Sequence, residues 1–375
     1  MFLNNWHVAC TSEELKAAPF QTRMLGCDFV LFRDEKGEAV CLSDVCCHRG
    51  ASLSKGTYVG GSIACPYHGW HFNSEGRCVR IPALGEDMKI PRRARVDRYP
   101  VKEWHGWVWV FLGDAPEDER PAMFDDSFWP DYVDFGTWRG QHTMYEAPVN
   151  FARTVENSID TAHPSFVHRS FGSKRDPKSV LVPIEESDWW ARATRERTPP
   201  DRAQKRGMMH EITPETRGKT WASTTIFFTG YTTRVEIRRA DGPAHCTMNT
   251  RTPVDELNVR VYGIQWRNYM LSPEGDEDRV AGRMSAIAED VGICSTVRPR
   301  LTPRSTSEEL FVESDQLESA FRRLMKRMQD KGWEIDTDTI DAERKRRQYV
   351  IPSPLRREDP HNWVHRAVPR YQPAS

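Results

Sequence analysis

The chain has 375 residues, 38% of them hydrophobic and 29% charged, with 53 Lys and Arg balanced by 54 Asp and Glu. That length suits two domains better than one core, and the even charge argues against a polyanionic partner or an anionic membrane surface. No basic segment followed by an apolar run opens the chain, and no apolar stretch reaches the ~20 residues of a membrane span, so a soluble, cytoplasmic protein acting on a small molecule or another protein is expected.

Short apolar runs from Phe29 to about Asp114 (FVLF, AVCL, VWVFL), separated by Gly, Pro, Asp and Asn, predict a small all-β domain. The Pro- and acid-rich stretch from Ala115 to Tyr132 reads as a connection. The expected division is therefore 1–114 and 115–375. Beyond the connection, 150–162 is expected to be helical, 220–238 and 256–266 extended, and 307–331 a long helix with Leu310, Leu317, Phe321, Leu324 and Met328 near helical spacing. The second domain is thus α+β.

Nine cysteines without a secretory signal are better read as thiols or metal ligands than as a disulfide framework. Cys10, Cys27, Cys41, Cys78, Cys246 and Cys294 are scattered, as small core side chains are. The segments Cys46-Cys47-His48-Arg49-Gly50 and Cys65-Pro66-Tyr67-His68-Gly69-Trp70 differ, because each supplies one sulfur and one imidazole. Two thiolates on one iron and two histidines on the other make a Rieske 2Fe-2S centre, which Cys46, His48, Cys65 and His68 would complete. A structural zinc site would accept the same donors, but the order Cys, His, Cys, His and the β-rich frame favour the cluster. Cys47 packs as a small apolar side chain on this reading.

The segments DVCCHRGASLSKG and CPYHGWHFNSEGRCVRIPAL resemble the cluster-binding loops of Rieske non-haem iron oxygenases. The opening NNWHVACTSEEL is similar to the vanillate demethylase-like branch of that family. The resemblance implies an N-terminal all-β Rieske domain followed by an α+β catalytic domain with an antiparallel sheet and covering helices.

A second constellation separates an oxygenase from a Rieske electron carrier. In the segment from Asn150 to His168, Glu156, Asp160 and His163 are spaced i, i+4, i+7 and would share one helix face. Pro164 should end the helix near His163 and let the chain bring His168 back. Two histidines and one carboxylate on one side of a metal form the facial triad of non-haem ferrous sites, with positions left open. His163 and His168 are the expected iron ligands. The resemblance gives Asp160 a different role, bridging His163 to the cluster ligand His68 of the partner subunit, and implies a head-to-tail homotrimer.

The third ligand is either Asp290 or Asp315. Asp315 stands among Glu313 and Glu318 in a solvent-facing pattern. Asp290 lies in a weakly charged stretch, MSAIAEDVGICSTVRPRL, where a buried carboxylate needs a positive partner. That stretch resembles the family's carboxylate segment, an E-D pair followed by R-P at Arg298-Pro299, although Cys294 and Ser295 replace more acidic or amide residues. Asp290 is preferred.

Other features read as structural. Glu343 to Arg347 is a solvated helix end, and Trp104, Trp107 and Trp109 have the spacing of strand core. Phe227, Phe228 and Tyr231 are candidate pocket residues whose direction the sequence does not fix. No Gly-rich dinucleotide fingerprint is present, so electrons from NAD(P)H must arrive through a separate reductase or ferredoxin. The expected activity is hydroxylation or oxidative demethylation of a small organic, aromatic or cyclic substrate, with O2 and one Fe(II) per subunit. Aromatic cis-dihydroxylation is the alternative within the class. A Rieske electron carrier and a zinc-stabilised binding module are the alternatives outside it.

Overall fold

The computed structural model describes residues 1–16, 18–85, 89–168, 181–197, 220–240, 242 and 244–372. The chain forms two compact units, one of 1–125, 252–256 and 328–375, the other of 126–251 and 257–327.

The first unit contains strands β1 (Asn5–Thr11), β2 (Phe20–Met24), β3 (Cys27–Arg33), β4 (Ala39–Ser43), β5 (Thr57–Val59), β6 (Ser62–Ala64), β7 (His71–Asn73), β8 (Cys78–Arg80), β9 (Arg98–Tyr99), β10 (Val101–Trp104) and β11 (Trp107–Leu112). They make three small sheets, ordered β1-β11-β10, β2-β3-β4-β9 and β5-β6-β7-β8. Strand β3 shows why this apolar run is a strand. Successive side chains point to opposite faces, so Phe29 and Leu31 join a core with Ala9, Val108 and Val110, while Val30 and Phe32 join another with Leu42, Ile63 and Phe72. The second of these cores lies directly beneath the two Cys/His loops. Trp107 and Trp109 are fully buried, as their strand spacing predicts.

The second unit is built on a seven-stranded antiparallel sheet with helices on it. Its strands are β12 (Arg139–Ala147), β13 (Ile184–Glu186), β14 (Trp190–Arg197), β15 (Thr220–Phe227), β16 (Thr232–Arg239), β17 (Ala244–Pro253) and β18 (Val259–Arg267), in the order β12-β18-β17-β16-β15-β14-β13. The helices are α1 (Phe151–Ile159), the single turn α2 (Pro164–Val167), α3 (Asp276–Cys294) and α4 (Gln316–Asp330).

Three elements differ from expectation. The run 220–238 is two strands, because the chain reverses at Thr229–Tyr231 with Gly230 at φ +58. The C-terminal helix starts at Gln316 rather than 307, since Asp315 accepts the N–H of Val312 and fixes a separate turn before it. Helix α1 ends at Ile159 rather than 162. There the Asp160 side chain accepts the N–H of Ala162 at 2.6 Å and that of His163 at 3.3 Å, offering the backbone an alternative to helix.

Residues 328–375, placed with the second domain on the sequence, pack within the first unit. They include α5 (Thr337–Glu343), β19 (Tyr349–Val350), α6 (Leu355–Glu358) and β20 (Arg366–Ala367). The Tyr99 hydroxyl donates to the Ile351 carbonyl at 2.7 Å, and Asp97 accepts from Ser353 and Arg356. Arg344 to Arg347 are exposed apart from their local ion pairs, as a solvated helix end would be. Among the described residues, no helix is long and apolar enough to cross a membrane.

Candidate functional sites: two loops of Cys and His, and a His-His-Asp trio

The two loops of the first unit are local copies of one another. In the first, Cys46 N–H donates to Ala51 O at 2.9 Å and Gly50 N–H returns to Cys46 O at 2.8 Å. In the second, Cys65 N–H donates to Trp70 O at 2.8 Å and Gly69 N–H returns to Cys65 O at 3.0 Å. Gly50 and Gly69 both have positive φ, +74 and +69, so each loop turns where an L side chain would be strained. Strands β6 and β7 carry the second loop at their tip, and the Val45–Ser52 bridge closes the first.

Both sulfurs are buried, and both imidazoles are exposed. The His48 and His68 rings lie 4.5 Å apart between centroids, and Trp70 stacks on His48 at an interplanar angle of 6°. The Cys46 thiol is held down first by the S–H of Cys47, with the backbone N–H groups of His48 and Arg49 and the Cys65 thiol adding, against burial. Cys65 is pushed up by burial, opposed by the N–H groups of Tyr67 and His68. Backbone amides therefore converge on both sulfurs, a nest suited to anionic sulfur. Loss of hydration, and then the neighbouring His68, lowers the pKa of His48, favouring the neutral imidazole that binds metal. The donor set fits a 2Fe-2S cluster. Cys47 is buried in the same core, as expected of a small apolar side chain.

In the second unit, α1, α2 and α3 bring His163, His168 and Asp290 together, with one ligand atom from each within 4.8 Å of the others. Asn150 starts α1 by accepting the Ala152 N–H. Three acidic residues, Asp276, Glu277 and Asp278, occupy the first turn of α3, where they complement its dipole. The Nε2 atoms of His163 and His168 lie 3.5 and 3.3 Å from the same Asp290 Oδ1. That oxygen is buried and, among the described residues, accepts no hydrogen bond, an arrangement a cation would compensate. Burial alone would lower the His163 pKa, but Asp160 and Asp290 carry it up to about 9. The pocket already collects positive charge, and the residues fit a ferrous ion.

Asp160 stands on the far side of His163, with Oδ2 3.3 Å from Nδ1. Glu289, which the sequence marks only as half of an E-D pair, places its Oε2 3.1 Å from His168 Nδ1. Its position immediately before Asp290 was the available signal. Glu156 turns away from the trio to pair with Arg322 and Arg153. Asp315 is occupied with Val312 and Ser314. Phe228 and Tyr231 are buried, and Phe227 packs edge-on against Phe128.

The two halves of this structure have known counterparts. Residues 5–100 match the Rieske [2Fe-2S] domain, and residues 147–331 match the vanillate O-demethylase oxygenase C-terminal domain. The chain belongs to the Rieske non-haem iron oxygenases, in the branch with that C-terminal domain. It is 37% identical over 186 residues to a putative toluene-4-sulfonate monooxygenase system iron-sulfur subunit of Comamonas testosteroni, covering 49% of this chain and 51% of that one. It is 36% identical over 169 residues to Protein TIC 55, chloroplastic, of Arabidopsis thaliana, covering 44% and 30%. The chain thus spans about half or less of the curated relatives it matches. Among solved structures, Pseudomonas putida CBB5 NdmA with caffeine superposes with a TM-score of 0.72 at 25% identity, covering 85% of this chain and 89% of that one. Apo dicamba monooxygenase superposes at 0.68 and 22% identity, covering 88% and 98%.

Proposed function

We propose that this chain is an oxygenase that hydroxylates or oxidatively demethylates a small organic substrate, using O2 and electrons from a separate reductase or ferredoxin. The observation that carries the reading is the trio in which the Nε2 atoms of His163 and His168 both face Asp290 Oδ1, in a chain that also has the paired Cys/His loops. A pure electron carrier needs no second metal pocket.

On this reading Cys46, His48, Cys65 and His68 hold a 2Fe-2S cluster, and His163, His168 and Asp290 hold a ferrous ion. When bound, that ion supplies dioxygen activation at its open positions. The chain's own residues set the geometry. Glu289 accepts the hydrogen bond of His168 Nδ1–H and leaves Nε2 free to ligate, and Asp160 places its negative charge beside His163 Nδ1. The exposed rings of His48 and His68 suit electron transfer across a subunit boundary. Asp160 would then bridge His163 to the partner subunit's His68 in a homotrimer. The named activity of the toluene-4-sulfonate monooxygenase relative favours monooxygenation over ring dihydroxylation. Electrons originating in NAD(P)H are consistent with a cytoplasmic protein.

Iron analysis tests the proposal. About three irons per chain, with substrate-coupled oxygen uptake, are expected; about two identify an electron carrier, and zinc without visible absorption identifies a binding module. Sedimentation of the holoprotein as a species other than a trimer overturns the subunit arrangement.

A further inference from the structure

We propose that Arg283 is a specificity-determining residue that binds an anionic group, a carboxylate or sulfonate, on the substrate held beside His163, His168 and Asp290. The inference rests on the oxygenase reading and adds the chemical class of the substrate to it.

Arg283 and Asp290 are seven residues apart on α3, two turns along one face. The separation along the helix axis is about 10 Å, enough for a single aromatic ring with groups at both ends. Tyr145 on β12 is close enough to feel both charges, since Asp290 and Arg283 each contribute to its pKa shift, behind the larger effects of burial and Arg251. The two ends of this face therefore share one neighbourhood.

The sheet is shaped to receive the guanidinium. A Cβ at Gly263 would lie 2.5 Å from Arg283 Nη2, 2.6 Å from Thr143 Oγ1 and 2.7 Å from Asn249 Oδ1. Gly263 needs no unusual φ here; its missing side chain makes the space. Arg283 Nη2 donates to Asn249 Oδ1 at 2.7 Å. Among the described residues, Arg283 pairs with no carboxylate. Part of its surface reaches solvent, yet the surroundings remove enough hydration to bring its pKa down to about 10, opposed by Tyr145. It remains charged at neutral pH. The same charge, after burial, helps hold nearby His245 neutral, down to about 4.

A desolvated cation without a counter-ion is costly, and an incoming anion offsets that cost. Arg251 provides the contrast. It is fully buried and, among the described residues, likewise has no carboxylate, but its guanidinium donates to Thr233 Oγ1, Ser158 Oγ and the carbonyls of Tyr231, Asn249 and Thr154. Arg251 is consumed in tying α1 to the sheet, whereas among the described residues Arg283 has one amide partner and a guanidinium with donors to spare.

Calorimetric binding to the iron-loaded protein distinguishes the outcomes, with 4-methoxybenzoate, 4-methoxybenzenesulfonate and neutral 4-methylanisole as probes. The anions should bind at least about ten-fold more tightly than 4-methylanisole. Arg283→Gln should bring that preference to within about three-fold, while Arg283→Lys keeps much of it. A merely structural Arg283 would weaken all three probes alike. Equal binding of neutral and anionic probes by the native protein overturns the proposal even if Arg283→Gln does not fold, as does an undiminished preference in a folded Arg283→Gln protein. Three irons with no anion preference sink this inference alone. Anion preference without the mononuclear iron sinks the oxygenase reading and leaves Arg283 as an anion site.

Discussion

The His168 ring is held between neighbouring carboxylates, with Nδ1 3.1 Å from Glu289 Oε2 and Nε2 3.3 Å from Asp290 Oδ1. On the proposed ligand set, one helix would supply both a ligand, Asp290, and the group that orients another, Glu289 beside His168. Removing a carboxylate that fixes a ligating histidine typically costs 10–100-fold in metal affinity. Glu289→Ala should lose affinity for the mononuclear iron on that scale while keeping the visible absorption of the cluster. Competition with a chelator of known affinity measures it. Native-strength binding in the variant would mean that His168 is oriented by something else.

Asp290 and Asp315 were the two candidates for the third ligand, and their surroundings predict opposite results. Asp290→Ala should remove the mononuclear iron and leave about two irons per chain. Asp315→Ala should keep all three, because its carboxylate accepts the Val312 N–H and the Ser314 hydroxyl rather than facing the histidines. Its cost should be that of a lost turn cap, about 1 kcal/mol, read as a small fall in Tm. Retention of iron by the Asp290 variant with loss in the Asp315 variant would falsify the proposed ligand set.

The sequence exposed what is local and concealed what is assembled. Each Cys/His pair lies within a few residues, so its loop is visible as a motif. His163 and His168 are equally local. Apolar spacing and Pro164 point to a helix through 162, whereas Asp160 captures the next N–H groups and ends α1 at Ile159. Glu289 and Arg283 acquire meaning only from what α3 packs against, namely His168 at one end and the gap at Gly263 at the other. A basic residue seven positions before an expected ligand was a signal, but spacing could not say that a glycine on β18 makes room for it. Residues 328–375, expected in the second domain, pack within the first unit through equally distant contacts. Their partners, Asp97 and Tyr99, lie more than 200 residues earlier.

Arg322 joins α4 to α1 and to the segment before it. It pairs with Glu156 and with Glu309, and Arg153 pairs with Glu309 from the other side. The Arg322 and Glu156 side chains are largely buried, at 7% and 13% exposure, so loss of Arg322 leaves two carboxylates, Glu156 and Glu309, sharing Arg153, one of them in excess. Such losses cost about 3–5 kcal/mol. Arg322→Ala should therefore lower the unfolding free energy by roughly that amount, measured by urea denaturation. The double variant Glu156→Gln, Arg322→Met should recover part of it, since the stranded charge goes with the arginine. No recovery would show that the guanidinium acts through packing.

Glu318, on α4, gives the second unit a dependence on pH. Its burial pushes the carboxyl up to about 8, and the charges of Asp160, Asp315 and Glu156 push in the same direction. A carboxyl raised above its unfolded value is protonated in the fold while the unfolded chain has already released the proton. Between about pH 4.5 and pH 8 the folded state binds more protons, so stability falls as pH rises through that window and levels off above it. Glu318→Gln keeps the neutral shape and removes the titration. It should match the native protein near pH 5 and exceed it at pH 8.5, by on the order of 1–3 kcal/mol. Thermal melts of both proteins across pH 5–9 measure the difference, and parallel curves would place the buried proton elsewhere.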